Sequence, residues 1–181
     1  LVDETSIDLG AKIARATKAA MGETYPDSAV DNVLFWMESK GRLGRKAKAG
    51  FFRYDAQGKR LGYWEGLGAQ YPLAAQQPNL IDVQHRLIFV QSLEAVRALE
   101  TGVLMDIREG DVGAILGWGF APWSGGPFSW LDILGSPYAA ERCDQLHHAY
   151  GDRFACPDLL RSMASKGQSF YGQAKKAQSA A

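Results

Sequence analysis

The chain has little of what usually carries chemistry. It holds three histidines and two cysteines. Two thiols with no second pair exclude a cysteine-based zinc site. His147 and His148 are adjacent, so on a helix they diverge and do not share a metal easily. Neither of these two is spaced with carboxylates in a zinc pattern, and His85, His147 and His148 read as surface or capping residues. Long apolar runs are also missing. The longest are short, such as Leu87-Ile-Phe-Val90, against the roughly 20 residues needed to cross a bilayer. The first residues lack the basic-then-apolar pattern of a leader. An excess of one charge sign is lacking too: 20 basic and 20 acidic side chains cancel. That argues against a whole-surface nucleic-acid or membrane footprint. Cys143 and Cys156 can form one disulfide, but a reduced pair in a cytoplasmic protein is the expectation adopted.

What is present is apolar mass and punctuation. Hydrophobic residues make up 46% of 181, enough for one ordinary domain or two small ones. The densest signal is Asp111-Val-Gly-Ala-Ile-Leu-Gly-Trp-Gly-Phe-Ala-Pro-Trp-Ser-Gly-Gly-Pro127. Gly110, Gly113 and Gly117 fall three and four apart and predict a smooth side on one helix, at roughly 1 kcal/mol per Gly against Ala. Gly119, Pro122, Gly125, Gly126 and Pro127 then break that helix into an aromatic-laden elbow. Such an elbow is either a packed turn or a ligand wall.

The rest of the chain reads as helices. Thr5 or Ser6 caps the first, with Leu9, Ile13, Ala16 and Ala20 on one face and Gly22 at its end. Tyr25 to Ser28 is a turn and cap. Val30, Val33, Leu34 and Met37 form the next amphipathic helix, closed by Gly41. A basic loop follows, then Phe51–Tyr54 as one extended segment. Residues 56–80 hold several glycines and prolines and read as a linker anchored by Tyr63, Trp64 and Tyr71. Asn79 or Asp82 caps a long helix ending at Gly102. Its apolar residues point in several directions, which predicts burial on several sides. Asp106 to Glu109 has the form of a capping box. After the elbow come a short helix from Pro127 to Leu134, another carrying Ala139, Cys143, Leu146 and Tyr150, and a last one with Leu160 and Met163. Residues 173–181 read as a frayed tail.

Two parts of the chain repeat each other. Leu1-Val-Asp3 corresponds to Trp130-Leu-Asp132, and Met21-Gly22 to Tyr150-Gly151. Met37 to Gly41 corresponds to Met163 to Gly167, and Phe51-Phe52 to Phe170-Tyr171. The second copy is preceded by the long helix and the elbow, whereas nothing precedes Leu1. The repeat therefore predicts that a longer parent carries a matching long helix and elbow upstream.

No complete catalytic set emerges from residue spacing. Ser124 lacks the strand-preceded Gly-x-Ser-x-Gly context of a nucleophile elbow. Gly117-Trp-Gly119 lacks a third glycine and follows a helix, so it is no dinucleotide cradle. Arg42, Arg45, Lys46 and Lys48 make the best anion site, with solvated loop charge as the commoner alternative.

These motifs resemble the C-terminal region of NAD-dependent 3-hydroxyacyl-CoA dehydrogenases, in particular the multifunctional bacterial fatty-acid oxidation type with two helical domains in tandem. The carriers are Gly41-Arg-Leu-Gly-Arg-Lys, then Gly50-Phe-Phe and Tyr54, the long-helix run Glu94 to Gly102, and the elbow itself. The resemblance implies an all-α fold: residues 1–55 as the end of the first helical domain, 56–80 as linker, and 81–172 as the second domain. It implies that NAD, a His–Glu pair and an Asn belong to upstream parts of the parent, so this piece alone is expected to be inactive. Leu116, Gly117, Trp118, Gly119 and Phe120 become candidate substrate contacts. Leu116 stands where relatives offer a tyrosine, so a hydroxyl contact is lost there. Arg42, Arg45, Lys46 and Lys48 become candidate contacts for coenzyme A. Implied partners are acyl-CoA, the upstream dinucleotide-binding domain, and a thiolase subunit or a second copy. A non-catalytic assembly module is the alternative.

Overall fold

A computed structural model describes residues 1–26 and 28–172. The expectation of a frayed tail over 173–181 lies outside those residues. The chain divides into two compact units, Leu1–Gln77 and Pro78 onward. Both are dominated by helices.

In the first unit, α1 (Val2–Thr5) leads into α2 (Ile7–Met21), which packs on α3 (Ala29–Ser39). Ser28 caps α3 by accepting from the Val30 amide at 3.2 Å. The buried face of α2 is Ile7, Ala11 and Ala14, while Leu9 and Ile13 are about half exposed and Ala16 and Ala20 lie at the surface. This corrects the expected face. Small residues let α3 approach closely: a Cβ at Gly10 would sit 3.3 Å from Leu34. Backbone proximity outweighed the larger apolar side chains.

A two-stranded antiparallel hairpin follows. It pairs β1 (Phe52–Tyr54) with β2 (Arg60–Tyr63) and has a bulge at Arg53/Tyr54. Helix α4 (Glu65–Gln70) comes next. Residues 56–80 are thus not a bare linker. Trp64 stacks on Trp36 at 5.3 Å, Tyr71 meets Trp36 edge-on at 5.4 Å, and Tyr63 stacks on Phe52 at 4.5 Å. Aromatic pairs across glycine-rich chain hold this stretch, which shows no clear period of its own.

The second unit holds α5 (Leu80–Glu100), α6 (Ile107–Trp118), α7 (Pro127–Leu134), α8 (Ser136–Tyr150) and α9 (Asp158–Lys166). Its core joins Phe89, Leu93 and Val96 of α5 to Phe128, Trp130 and Leu131 of α7, and to Ala139, Cys143 and Leu146 of α8. Asn79 caps α5 through the Ile81 amide at 2.8 Å. Helix α5 is not buried all round, contrary to expectation. Leu80, Ile81 and Leu87 are more than half exposed. Ile88, Ala95 and Leu99 pack against the same core, and Leu80, Ile81, Leu87 and Val90 are the apolar residues of α5 that this unit leaves open.

The repeated segments adopt the same local geometry. The Asp3 carboxylate accepts from the Phe51 and Phe52 amides at 2.8 and 3.0 Å. The Asp132 carboxylate accepts from the Phe170 and Tyr171 amides at 2.8 and 3.0 Å. The α3 end is closed by the Arg42 amide donating to the Met37 carbonyl at 3.0 Å, and the α9 end by Gln168 donating to Met163 at 2.9 Å. Both closures follow a left-handed glycine, Gly41 at φ 68° and Gly167 at φ 61°. Ser6 (φ 78°, ψ 125°) and Gly135 (φ 83°, ψ 134°) precede α2 and α8 in matching conformations. Similar sequence therefore means similar hydrogen bonding in the two units.

Candidate functional site

The elbow is organised by a buried carboxylate. Asp106 caps α6, accepting from the Arg108 amide at 2.8 Å. The Arg108 guanidinium also bonds it, which, with that amide, holds the Asp106 carboxyl down to about 2. One turn on, Asp111 is 3% exposed and points at the start of α7. It accepts from the Phe128 and Ser129 amides at 2.8 and 3.1 Å, from Ser129 Oγ at 2.6 Å and from the Tyr171 hydroxyl at 2.8 Å. Asp111 thus supplies α7 with the N-terminal cap that its own leading residue, Gly126, has no side chain to provide. Gly126 is required on two counts. Its φ is 114°, and a Cβ there would lie 2.5 Å from the Asp111 side chain. Burial, then the bond to Asp111, pushes the Tyr171 hydroxyl up to about 12.

The glycine stripe divides. A Cβ at Gly110 would strike Phe128 at 2.6 Å, so this glycine serves core packing. Gly113 and Gly117 face open space. The rim beyond them is apolar: Leu116 is 80% and Trp118 63% exposed, with Val112 and Trp123 also exposed. The Trp118 indole donates to Gln91 Oε1 on α5 at 3.1 Å. Gly119 ends α6 in a left-handed turn. Phe120 is 2% exposed, and its amide bonds the Ala114 carbonyl at 3.1 Å. Of the five candidates, four line the surface. Phe120 is an anchor beneath them, because turning the chain at Gly119 drives the next side chain inward. The rim offers an apolar wall and two indoles, with no titratable group among its residues. A cavity of about 550 Å³ lies elsewhere in the unit, lined by Leu99, Ile107, Met163 and Phe170.

The four basic-loop candidates do not converge. The Arg42 guanidinium donates to the Gly50 and Phe52 carbonyls at 2.7 and 3.0 Å and lies 4.3 Å over the Trp64 ring. Burial lowers its pKa. Arg45 pairs with Glu4 at 3.2 Å, and Lys48 donates to the Ala56 carbonyl at 2.6 Å. Lys46 is exposed. The hairpin and α1 already use three of the four charges.

A second polar cluster went unread in the sequence. Arg142 of α8 donates from Nε to His85 Nδ1 at 3.0 Å and from a terminal nitrogen to Asp82, which also accepts from the Tyr150 hydroxyl. Burial, then the Arg142 charge, pushes the His85 imidazole down. With Nδ1 accepting, the neutral ring carries its proton on Nε2. The only available signal was the spacing of Asp82 and His85 along one face of α5. Its partner sits 57 residues away from His85. Among the described residues, no group of three or more His, Cys, Asp or Glu side chains can hold a metal ion. No described helix is long and apolar enough to cross a membrane.

The chain thus comprises two helical units, the second carrying an apolar rim beside a glycine-opened helix face. No family model matches the chain. Curated relatives do. It is 38% identical over 174 residues to the fatty acid oxidation complex subunit alpha of Shewanella loihica, covering 94% of this chain and 24% of that protein. It is 36% identical over 175 residues to the subunit of the same name from Vibrio vulnificus, again 94% of this chain and 24% of the relative. The chain thus spans about a quarter of the length of the curated relatives it matches. Over that quarter it is homologous to the fatty acid oxidation complex alpha subunit.

Proposed function

We propose that this chain is the C-terminal helical part of an NAD-linked 3-hydroxyacyl-CoA dehydrogenase of fatty-acid β-oxidation. The observation that carries the reading is the 38% identity to a fatty acid oxidation complex subunit over 94% of the chain. In this reading Leu116 and Trp118 present an apolar wall to the acyl or pantetheine portion of an acyl-CoA. Gly113 and Gly117 leave room for it, and Phe120 holds the wall from below. Hydride transfer and NAD binding belong to polypeptide outside the matched quarter, so this chain shapes the cleft and packs against other domains.

Two measurements test this. NADH oxidation with acetoacetyl-CoA is expected to be absent for the 181 residues alone, and turnover would overturn the division of labour. Acyl-CoA binding, followed by tryptophan fluorescence, is expected to weaken about tenfold on Leu116→Asp while binding of free coenzyme A is unchanged. Equal affinities would remove the rim from the cleft.

A second reading rests on the open apolar face of α5. Leu87 at 61% and Val90 at 36% exposure suit packing against another protein surface, such as a thiolase subunit or a second copy. Sedimentation decides: a monomer across a wide concentration range excludes self-association.

A further inference from the structure

We propose that the cleft between α1, the Arg45–Ala47 turn and the tip of the hairpin binds a phosphate-bearing small molecule, with Arg45, Lys59 and Arg60 as its cationic contacts.

The cleft measures about 430 Å³ and lies wholly within the first unit. Three cations line it against one carboxylate, Glu4. Arg45 reaches Glu4 at 3.2 Å and Arg60 reaches it at 3.7 Å, so two guanidiniums converge on one point. Arg60 is further held 4.1 Å over the Phe52 ring. Lys59 has no ion-pair partner among the described residues. Other carboxylates nearby are already engaged. Asp55 accepts from the Gln57 and Lys59 amides inside the hairpin turn, at 2.9 and 2.8 Å. Asp3 is bound by two amides and the Tyr54 hydroxyl. Lys48 ties the basic loop to the hairpin turn by donating to the Ala56 carbonyl at 2.6 Å. Gly58, at φ 79°, lets that turn pass close to Arg45: a Cβ there would lie 4.0 Å from Arg45 Nε. The charges are therefore brought together by the fold itself.

Charge and shape select the ligand. Glu4 offsets one of the three lining cations and leaves two. A phosphate group carries nearly two negative charges at neutral pH, whereas a carboxylate carries one. Guanidiniums engage phosphate oxygens two at a time, and an ammonium adds a point charge. A ligand with one or two phosphates has oxygens enough to reach both arginines and Lys59.

The repeat shows that packing does not require this loop. In the second unit two residues separate Gly167 from Phe170, whose amide closes on Asp132. In the first unit nine residues, 42–50, separate the matching Gly41 from Phe51, whose amide closes on Asp3. The extra length carries Arg45 into the cleft. The same clasp forms without it in the second unit.

The test is calorimetric titration of the 181-residue chain with inorganic pyrophosphate, and separately with coenzyme A. Saturable pyrophosphate binding is expected, weakening as salt rises from about 50 to about 300 mM. Lys59→Ala, which breaks no ion pair, is expected to weaken it about fivefold or more, and Arg45→Ala similarly. Glu4→Gln is expected to tighten it about twofold or more, because a competing negative charge is removed. Lys46→Ala, an exposed cation outside the cleft lining, is expected to change it less than about twofold. Circular dichroism confirms that each variant keeps its fold. Coenzyme A binding weakened in parallel by Lys59→Ala identifies the coenzyme as the phosphate source, and coenzyme A binding indifferent to it identifies a free polyphosphate; the site stands in both cases. Absence of saturable pyrophosphate binding up to about 10 mM would overturn the proposal. So would a Lys46→Ala effect equal to that of Lys59→Ala, which would mean diffuse surface charge. Neither result bears on the Leu116→Asp measurement, whose residues lie in the other unit.

Discussion

Replacing Asp111 by alanine tests the logic of the elbow most directly. The carboxylate is 3% exposed and accepts four hydrogen bonds, from the Phe128 and Ser129 amides, Ser129 Oγ and the Tyr171 hydroxyl. Loss of an N-terminal cap costs about 1 kcal/mol. A buried donor left without an acceptor adds about 1–3 kcal/mol, and the Phe128 amide is that case here, whereas Tyr171 is 37% exposed and its hydroxyl can turn to water. The Ser129 hydroxyl can rotate toward another acceptor, so its share is small. The expected destabilisation is about 3 kcal/mol, a large part of the 5–15 kcal/mol typical of a domain. Urea unfolding followed by circular dichroism measures it. Tyr171→Phe is expected to cost about 1 kcal/mol alone and much less in the Asp111→Ala background, since the shared bond is then already gone. Asp152→Ala, at a fully exposed carboxylate paired only with His147, serves as the control and is expected to change nothing measurable. A cost below about 1 kcal/mol for Asp111→Ala would refute the claim that this carboxylate organises α6, α7 and the final segment.

Other outcomes follow from individual positions. Gly126→Ala should destabilise by about 2–4 kcal/mol, since strained φ and collision with Asp111 combine, whereas Gly113→Ala, which meets open space, should be neutral or gain up to about 1 kcal/mol. Thermal melts distinguish them, and equal effects would contradict the division of the glycine stripe. The Ser92 hydroxyl is buried without a hydrogen-bond partner among the described residues, so Ser92→Ala should raise the urea midpoint by about 0.5–1 kcal/mol of stability at unchanged slope. A loss of stability would show that the hydroxyl has a partner. His85 has a folded pKa below its ordinary 6.5, so the unfolded chain binds the extra proton. Its contribution is therefore complete above about pH 6.5 and is lost as pH falls through 6.5 toward the folded value. The urea midpoint should drop between about pH 7.5 and about pH 5.5 in wild type and flatten in His85→Gln, and an unchanged slope would clear His85. Asp82 in the same cluster is lowered from its ordinary 3.8, chiefly by the Tyr150 hydroxyl and then by Arg142, so its contribution is present above that value and is lost as pH falls through it toward the folded one.

The helices of the second unit were legible because their punctuation is local. Asn79, Asp106, Pro127, Gly135 and Gly151 mark boundaries within a residue or two of where they fall. The repeat was legible because Asp3 and Asp132, with their paired aromatics, do the same job twice. The hairpin was not, because β2 is Arg-Leu-Gly-Tyr, short and broken by glycine, and is held by Phe52 of β1, while Trp64 just beyond it stacks on Trp36 of α3. The partners of the basic loop were hidden for a similar reason. Charge is visible in sequence, but the carbonyls of Gly50 and Phe52 that consume Arg42 are not. The face of α2 failed because size and hydrophobicity favoured Leu9 and Ile13, while close helix approach selected Ala11 and Ala14. Within the rim, exposure of Leu116 and Trp118 agrees with their being reachable, and Phe120 departs because one left-handed residue reverses the direction of the next side chain.

The two aspartate clasps carry a consequence for biosynthesis. Asp3 waits for the amides of Phe51 and Phe52, and Asp132 for those of Phe170 and Tyr171. Each carboxylate is translated near the start of its segment and finds its donors only near the end. During synthesis, each helical hairpin must emerge from the ribosome with its fastening open. It locks when the last aromatic pair clears the exit tunnel, so a nascent chain stalled just short of Phe51 or Phe170 would present an unlatched, protease-sensitive unit.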